Sequence, residues 1–89
     1  MNKNLHDTQF FHTVQENRMD VDQVLDLVYT ALSEKGYNPV NQIVGYVMSG
    51  DPTYITSHKN ARSLIMKVER DDILELLLSY YIRHKIDRH

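Results

Sequence analysis

The chain has 89 residues, enough for one small domain, and its formal net charge is −2 at pH 7. This charge disfavours a nucleic-acid binder, whose affinity comes largely from neutralising phosphates. The chain has no cysteine, no apolar run long enough to cross a membrane and no signal-peptide pattern, so we expect a cytoplasmic protein without membrane insertion. A chain this short rarely builds a strong core alone, which favours a homo-oligomer.

Residues 1–18 show no helical or strand periodicity and are rich in Asn, Gln, Thr and His. We expect a flexible N-terminal tail, in which Phe10 and Phe11 are the largest apolar side chains. The alternative is a short arm that docks these two rings on the folded body. Residues 19–86 are predicted to form a helical dimerisation domain, and residues 87–89 a frayed C-terminus.

The first predicted helix begins after Asp20, which stands at the N-cap position with Gln23 three residues later. It ends at Gly36, a residue that readily adopts the left-handed conformation after a helix. Its apolar residues fall on one helical face and are Val21, Val24, Leu25, Val28 and Leu32.

All three glycines and both prolines lie within residues 34–55. Asn38–Pro39 predicts the start of a second helix, Gly50 its end, and Asp51–Pro52 the start of a short turn through Tyr54 and Ile55. The predicted core face of the second helix comprises Val40, Ile43, Val44 and Val47. Gly45 lies inside this helix, where glycine is unfavourable, so we expect another helix to cross closely there.

A third helical face comprises Ala61, Leu64, Ile65 and Val68, and it breaks at Asp71 and Asp72, where a fourth helix can begin. The pattern leaves open whether these two helices are separate or continuous. Between residues 73 and 82 only Glu75 and Ser79 are polar, so the fourth helix needs cover on several sides. We therefore predict an all-α homodimer, a compact bundle of about four helices. The candidate interface residues are Ile73, Leu74, Leu77, Leu78 and Tyr81.

Motifs for catalysis or cofactor binding are missing from the sequence. It has no phosphate-binding glycine loop, no cysteine nucleophile, no Gly-x-Ser-x-Gly motif and no histidine pair at the helical spacing of a zinc site. We therefore expect neither an enzyme nor a bound metal or cofactor. An alternative function is helix-turn-helix-like binding of nucleic acid, with the basic or polar residues Lys59, Asn60, Arg62 and Lys67 on the second helix.

From about Asp20 to Ile82 the chain closely resembles the IreB-like family of small regulatory phosphoproteins of Gram-positive bacteria. The matching residues at the helix corners are Gly36, Tyr37, Asn38, Pro39, Asn41, Gln42, Gly45, Tyr46, Gly50, Asp51, Pro52 and Tyr54. Further matches are Glu34, Lys35, Ile43, Ser49, Ala61, Arg62, Ile65, Glu69, Arg70 and Asp71.

This resemblance implies a cytoplasmic helical homodimer that is a substrate of the membrane Ser/Thr kinase with extracellular PASTA repeats. It further implies a cognate phosphatase, an unknown downstream protein and a braking role in cell-wall signalling. Family members are phosphorylated in a segment resembling Asp-Glu-Thr-x-x-Phe, which places Thr8 on the threonine and Phe11 on the phenylalanine. Leu5 stands where some members have a second threonine, and Thr13 is a fallback site outside the motif. A phosphate in the tail would either repel a partner or dock on a basic patch, for which the candidates are Lys59, Arg62, Lys67 and Arg70.

Overall fold

The computed structural model describes residues 19–87, which form helices and turns without any strand. The four α-helices are α1 (Val21–Glu34), α2 (Pro39–Ser49), α3 (Ala61–Ile65) and α4 (Arg70–Tyr81). Two short 3₁₀ turns, Pro52–Tyr54 and His58–Asn60, connect α2 to α3, and a π-helical turn, Ile82–Ile86, extends α4. The all-α prediction with about four helices is confirmed. The predicted tail, residues 1–18, lies outside the described residues.

Both ends of α1 carry the predicted capping contacts. The backbone N–H of Asp20 donates to Oε1 of Gln23 at 3.0 Å. After the helix, Gly36 has a φ of +82°, and the backbone N–H of Tyr37 donates to the Leu32 carbonyl at 2.9 Å. The N–H of Gly36 donates to the Ser33 carbonyl at 3.0 Å, which completes a Schellman motif. Local sequence therefore sets where α1 begins and ends.

The boundaries of α2 and of the turn that follows are also as predicted. Oδ1 of Asn38 accepts the backbone N–H of Asn41 at 3.1 Å, with proline at the first helical position. Gly50 ends the helix in the left-handed conformation, with a φ of +75°. Oδ1 of Asp51 then accepts both the backbone N–H and the hydroxyl of Thr53, at 3.0 and 2.7 Å.

The core lies where α1 packs against the other three helices. Its buried residues are Val24, Val28, Ala31, Leu32, Tyr46, Ile55, Ala61, Ile65 and Ile73. One predicted interface residue is among them: Ile73 is 0% exposed within its own chain. Its assignment to the dimer interface was therefore wrong, because its side chain has no surface left to offer a second chain.

The orientation of α2 differs from the prediction. Tyr46 is buried, and Ile43 and Val47 pack against the core, whereas Val40 and Val44 are 67% and 53% exposed. The helix has apolar residues on several sides, so its hydrophobic pattern alone did not show which side faces inward. The large ring of Tyr46 takes the inward position, which turns Val40 and Val44 towards solvent.

The chain enters α3 through two residues in the left-handed conformation, Lys59 with a φ of +56° and Asn60 with a φ of +64°. Asparagine tolerates this conformation better than most residues, but nothing in the sequence predicted it for lysine. The third and fourth helices are separate, because α3 ends at Ile65 and α4 begins at Arg70.

Candidate functional site

The residues around Gly45 connect α2 to the turn that follows it. Nε2 of Gln42 donates to the backbone carbonyl of Tyr54 at 2.8 Å. The ring of Tyr54 lies directly against Gly45, and a Cβ added at Gly45 would overlap Cε1 and Cδ1 of that ring. The expectation that another helix crosses at Gly45 was therefore wrong: the group that approaches is one aromatic side chain from the 3₁₀ turn.

Arg70 connects the start of α4 to the end of α2. Its Nη1 donates to the Val47 carbonyl at 3.0 Å, one of the carbonyls at a helix end that have no partner within the helix. The guanidinium lies over Gly50, where an added Cβ would be 2.9 Å from Cζ of Arg70. Glycine at position 50 thus permits both the left-handed backbone conformation and the close approach of the Arg70 guanidinium.

A charged cluster joins the end of α1 to the turn before α3. Nε2 of His58 lies 2.8 Å from Oε1 of Glu34, and Nζ of Lys59 lies 3.1 Å from the same oxygen. The hydrogen bond to His58, and next the one to Lys59, hold the pKa of Glu34 below its ordinary value of 4.5. The cluster is exposed, so we expect it to contribute only modestly to the free energy of unfolding.

Glu34 should therefore contribute to the pH dependence of folding. Because its folded-state pKa is lowered, its contribution is present above the ordinary pKa and is lost as the pH falls through the lower, folded value. Glu34→Gln should lose less stability than the wild type on acidification from about pH 6 to about pH 3. Urea unfolding at several pH values measures this difference. Asp51, whose pKa the Thr53 hydroxyl also lowers, is unchanged in both proteins, so parallel pH curves would contradict the assignment to Glu34.

Three of the four candidate phosphate-binding cations already have partners inside the domain. Lys59 pairs with Glu34, Nε of Arg62 donates to the Ile55 carbonyl at 2.8 Å, and Arg70 bonds to Val47. Lys67 lies on a different depression, beside Met19, Asp20 and Glu69.

The helix-turn-helix alternative lacks its structural basis in residues 19–87. The helix that would have to read the major groove is α3, which has only five residues. Of its proposed contacts, Lys59 and Asn60 lie before α3 in the left-handed turn.

Exposed apolar residues lie on both α2 and α4, and one groove is lined from both helices. On α2, Val40, Val44 and Met48 follow one another at a spacing of four residues and are 53–76% exposed. On α4, four of the five predicted interface residues are exposed, and these are Leu74, Leu77, Leu78 and Tyr81. The exposed residues on α2 were not predicted, because the hydrophobic pattern had placed Val40 and Val44 in the core. Exposed apolar side chains that group together are typical of an interaction site.

Within this surface, α1, α2 and α4 enclose a groove of about 300 Å³, here named the α1–α2–α4 groove. Seven of its lining residues are Leu25, Tyr29, Pro39, Val40, Ile43, Val44 and Leu77, and the eighth, Asp26, is the only charged one. The groove is therefore suited to an apolar ligand without a negative charge.

Within the part of the chain that the structure describes, no three His, Cys, Asp or Glu side chains are grouped to hold a metal ion. No helix among residues 19–87 is both long and apolar enough to span a membrane. The predicted phosphoacceptor Thr8 and the fallback Thr13 lie outside the described residues.

Comparison with known proteins supports the family that the helix-corner residues indicated. Residues 6–83 match the family described as IreB regulatory phosphoprotein. The chain is 63% identical over 84 residues to a UPF0297 protein of Lachnoclostridium phytofermentans, covering 94% of this chain and 96% of the relative. It is 55% identical over 85 residues to a UPF0297 protein of Clostridioides difficile, covering 96% of this chain and all of the relative. The chain therefore belongs to the IreB regulatory phosphoprotein family.

Proposed function

We propose that this protein is a non-catalytic cytoplasmic regulator that a transmembrane Ser/Thr kinase phosphorylates on Thr8. The family match carries this proposal, because its range, residues 6–83, includes Thr8 and the phenylalanine at position 11. The partners are a PASTA-repeat kinase, its cognate phosphatase and a downstream protein that binds the regulator. The protein acts as a negative regulator in cell-envelope stress and antibiotic-tolerance signalling.

The phosphate would add a charge of about −1.5 to −2 to a tail that contains few charges. Lys59, Arg62 and Arg70 already bond to groups within the domain. We therefore propose that the phosphate acts by repulsion and not by docking on a basic patch of the same chain.

Phosphorylation by the kinase of the host organism should occur on Thr8. Incubation with the kinase and ATP, followed by peptide mapping by mass spectrometry, should place one phosphate on Thr8 of the wild type. Thr8→Ala should lose this phosphate, and Thr13→Ala, the matched control in the same tail, should keep it. A phosphate found only within residues 19–87, or no phosphate at all, would refute the proposal.

We also propose that two copies of the chain pair through the outward face of α4. Leu74, Leu78 and Tyr81 are spaced as neighbours on one helical face, and each is more than half exposed. Among residues 19–87, nine core residues are buried, and a core this small gains from burial against a second copy.

Leu78→Glu should convert the dimer into a monomer, because pairing would bury a carboxylate in an apolar interface. Sedimentation velocity measures the change, and circular dichroism should remain that of the wild type, since Leu78 is 58% exposed. Met66→Glu is the control, since Met66 is 56% exposed but lies in a separate depression with Ser57 and Arg62. A wild type that is monomeric at micromolar concentration would contradict the pairing.

A further inference from the structure

We propose that the N-terminal segment of this same chain docks Phe10 and Phe11 in the α1–α2–α4 groove, and that a phosphate on Thr8 releases it. The docking step is inferred from the lining of the groove and the sequence of the tail. The release step rests on the proposed phosphorylation of Thr8.

The groove has the size and chemistry for an aromatic anchor. Its volume of about 300 Å³ is at the lower end of the range of small-molecule sites in proteins. Val40 and Val44 are largely exposed along one wall, and Leu77 contributes from α4. Burying aromatic rings against these side chains would remove apolar surface of both partners from water, about 150–250 Å² for each ring.

The tail supplies a ligand that matches this groove. The only two phenylalanines of the chain are adjacent, at positions 10 and 11, in a segment otherwise dominated by polar residues. An aromatic pair surrounded by polar residues is suited to anchor a segment in an apolar groove. The remaining tail residues offer no comparable cluster of large apolar side chains.

The tail is also long enough to reach the groove of its own chain. Phe11 precedes Val21, the first residue of α1, by ten residues, which can span up to about 33–36 Å. Leu25, the nearest groove residue on α1, is about 6 Å from Val21 along the helix axis. A tethered ligand at this range has a local concentration of the order of millimolar, so weak contacts suffice to hold it.

The charges beside the groove explain why a phosphate would release the tail. Thr8 is two residues before Phe10, which places a phosphate within about 7 Å of the docked ring. Asp26 lines the groove, and Asp22 lies one turn away on the same helix. The described residues that line the groove include no cation, and the one charged side chain among them, Asp26, would repel a phosphate.

Paramagnetic broadening in NMR spectra tests the docking. The chain has no cysteine, so Gln15→Cys provides a single site for a nitroxide label in the full-length protein. We expect selective broadening of Val40, Val44 and Leu77 signals in the unphosphorylated protein, and its loss when Phe10 and Phe11 are both replaced by serine. Val44→Lys should also abolish the broadening, whereas Met66→Lys, on a separate surface, should leave it unchanged. Broadening spread evenly over the domain, or none, would overturn the docking.

Mixed samples distinguish the tail of the same chain from the tail of a second copy. Spin-labelled chains without isotope are mixed with isotope-labelled chains that carry no spin label. We expect groove signals in this mixture to broaden far less than in the singly prepared sample, because the label of a paired chain stays at the groove of its own chain. Selective broadening of comparable strength would overturn docking within one chain.

The release step is tested with a chain carrying phosphothreonine at position 8, introduced by peptide ligation together with the Gln15→Cys label. We expect the groove broadening to disappear, and broadening that persists would overturn the release. This sample requires no kinase. A kinase that fails to modify Thr8 would therefore refute the proposed function while the docking measurement stands independently.

Discussion

Gly45→Ala is expected to lower the free energy of unfolding by up to about 2 kcal/mol, although alanine is the better helix former by about 1 kcal/mol. The reason is the ring of Tyr54, which occupies the space that a methyl group at position 45 would need. Overpacking of this kind costs about 1–3 kcal/mol, of which the gain in helix propensity offsets about 1 kcal/mol. Tyr54 is 40% exposed, so its ring can swing partly into solvent, and this keeps the cost moderate.

A double-mutant cycle with Tyr54→Ala isolates this contact. In the Tyr54→Ala background, Gly45→Ala should stabilise the protein by up to about 1 kcal/mol, because the obstructing ring is gone and the helix propensity remains. The hydrogen bond from Gln42 goes to the backbone carbonyl of residue 54, so the truncation does not remove it. Urea unfolding of the four proteins gives the coupling energy. An effect of Gly45→Ala with the same sign in both backgrounds would contradict the role given to Tyr54.

Ile73→Ala should lower the free energy of unfolding by about 2–5 kcal/mol, the usual cost of removing a large aliphatic side chain from a packed core. Ile73 is 0% exposed and lies on α4, which packs against α1 and α2. Ile82→Ala is the matched control, because Ile82 directly follows the same helix and is 37% exposed. Its replacement should cost less than about 1 kcal/mol.

The concentration dependence of the Ile73 effect separates a core residue from an interface residue. If Ile73 lies in the core, Ile73→Ala should leave the oligomeric state seen in sedimentation unchanged at concentrations where the protein stays folded. If it instead contributes to an interface, the loss of stability should accompany dissociation and depend on protein concentration. The second result would contradict the burial described for Ile73.

The helix corners could be predicted because their physics is local. Asn38, Gly50 and Asp51 act through bonds within a few residues or through a backbone angle that glycine adopts easily. The same holds for Gly36 after α1. These residues also belong to the stretch that identified the family, so fold class and family followed from one segment.

The candidate site was only partly predictable. The exposed apolar face of α4 was expected. This helix has apolar residues on nearly every side, so some of them, such as Leu74, Leu77 and Leu78, must face outward. The exposed stripe on α2 was not, because Val40 and Val44 are as apolar as their neighbours that face the core. Phosphoacceptor candidates in the tail could be named from the family motif, and they stay predictions.

The amino-acid sequence alone specified the helical class and the positions of the helix ends, because capping and backbone preferences act over four or five residues. It also indicated the family, through the matching residues at the helix corners. Tertiary packing decided which side of α2 faces inward, that Ile73 is core, and that Gly45 accommodates the ring of Tyr54. It also placed Arg70 at the end of α2, where it donates a hydrogen bond to the carbonyl of Val47, 23 residues earlier in the chain. These outcomes depend on competition between side chains distant in sequence, and the side chain with most to gain from burial, as with Tyr46, takes the interior position.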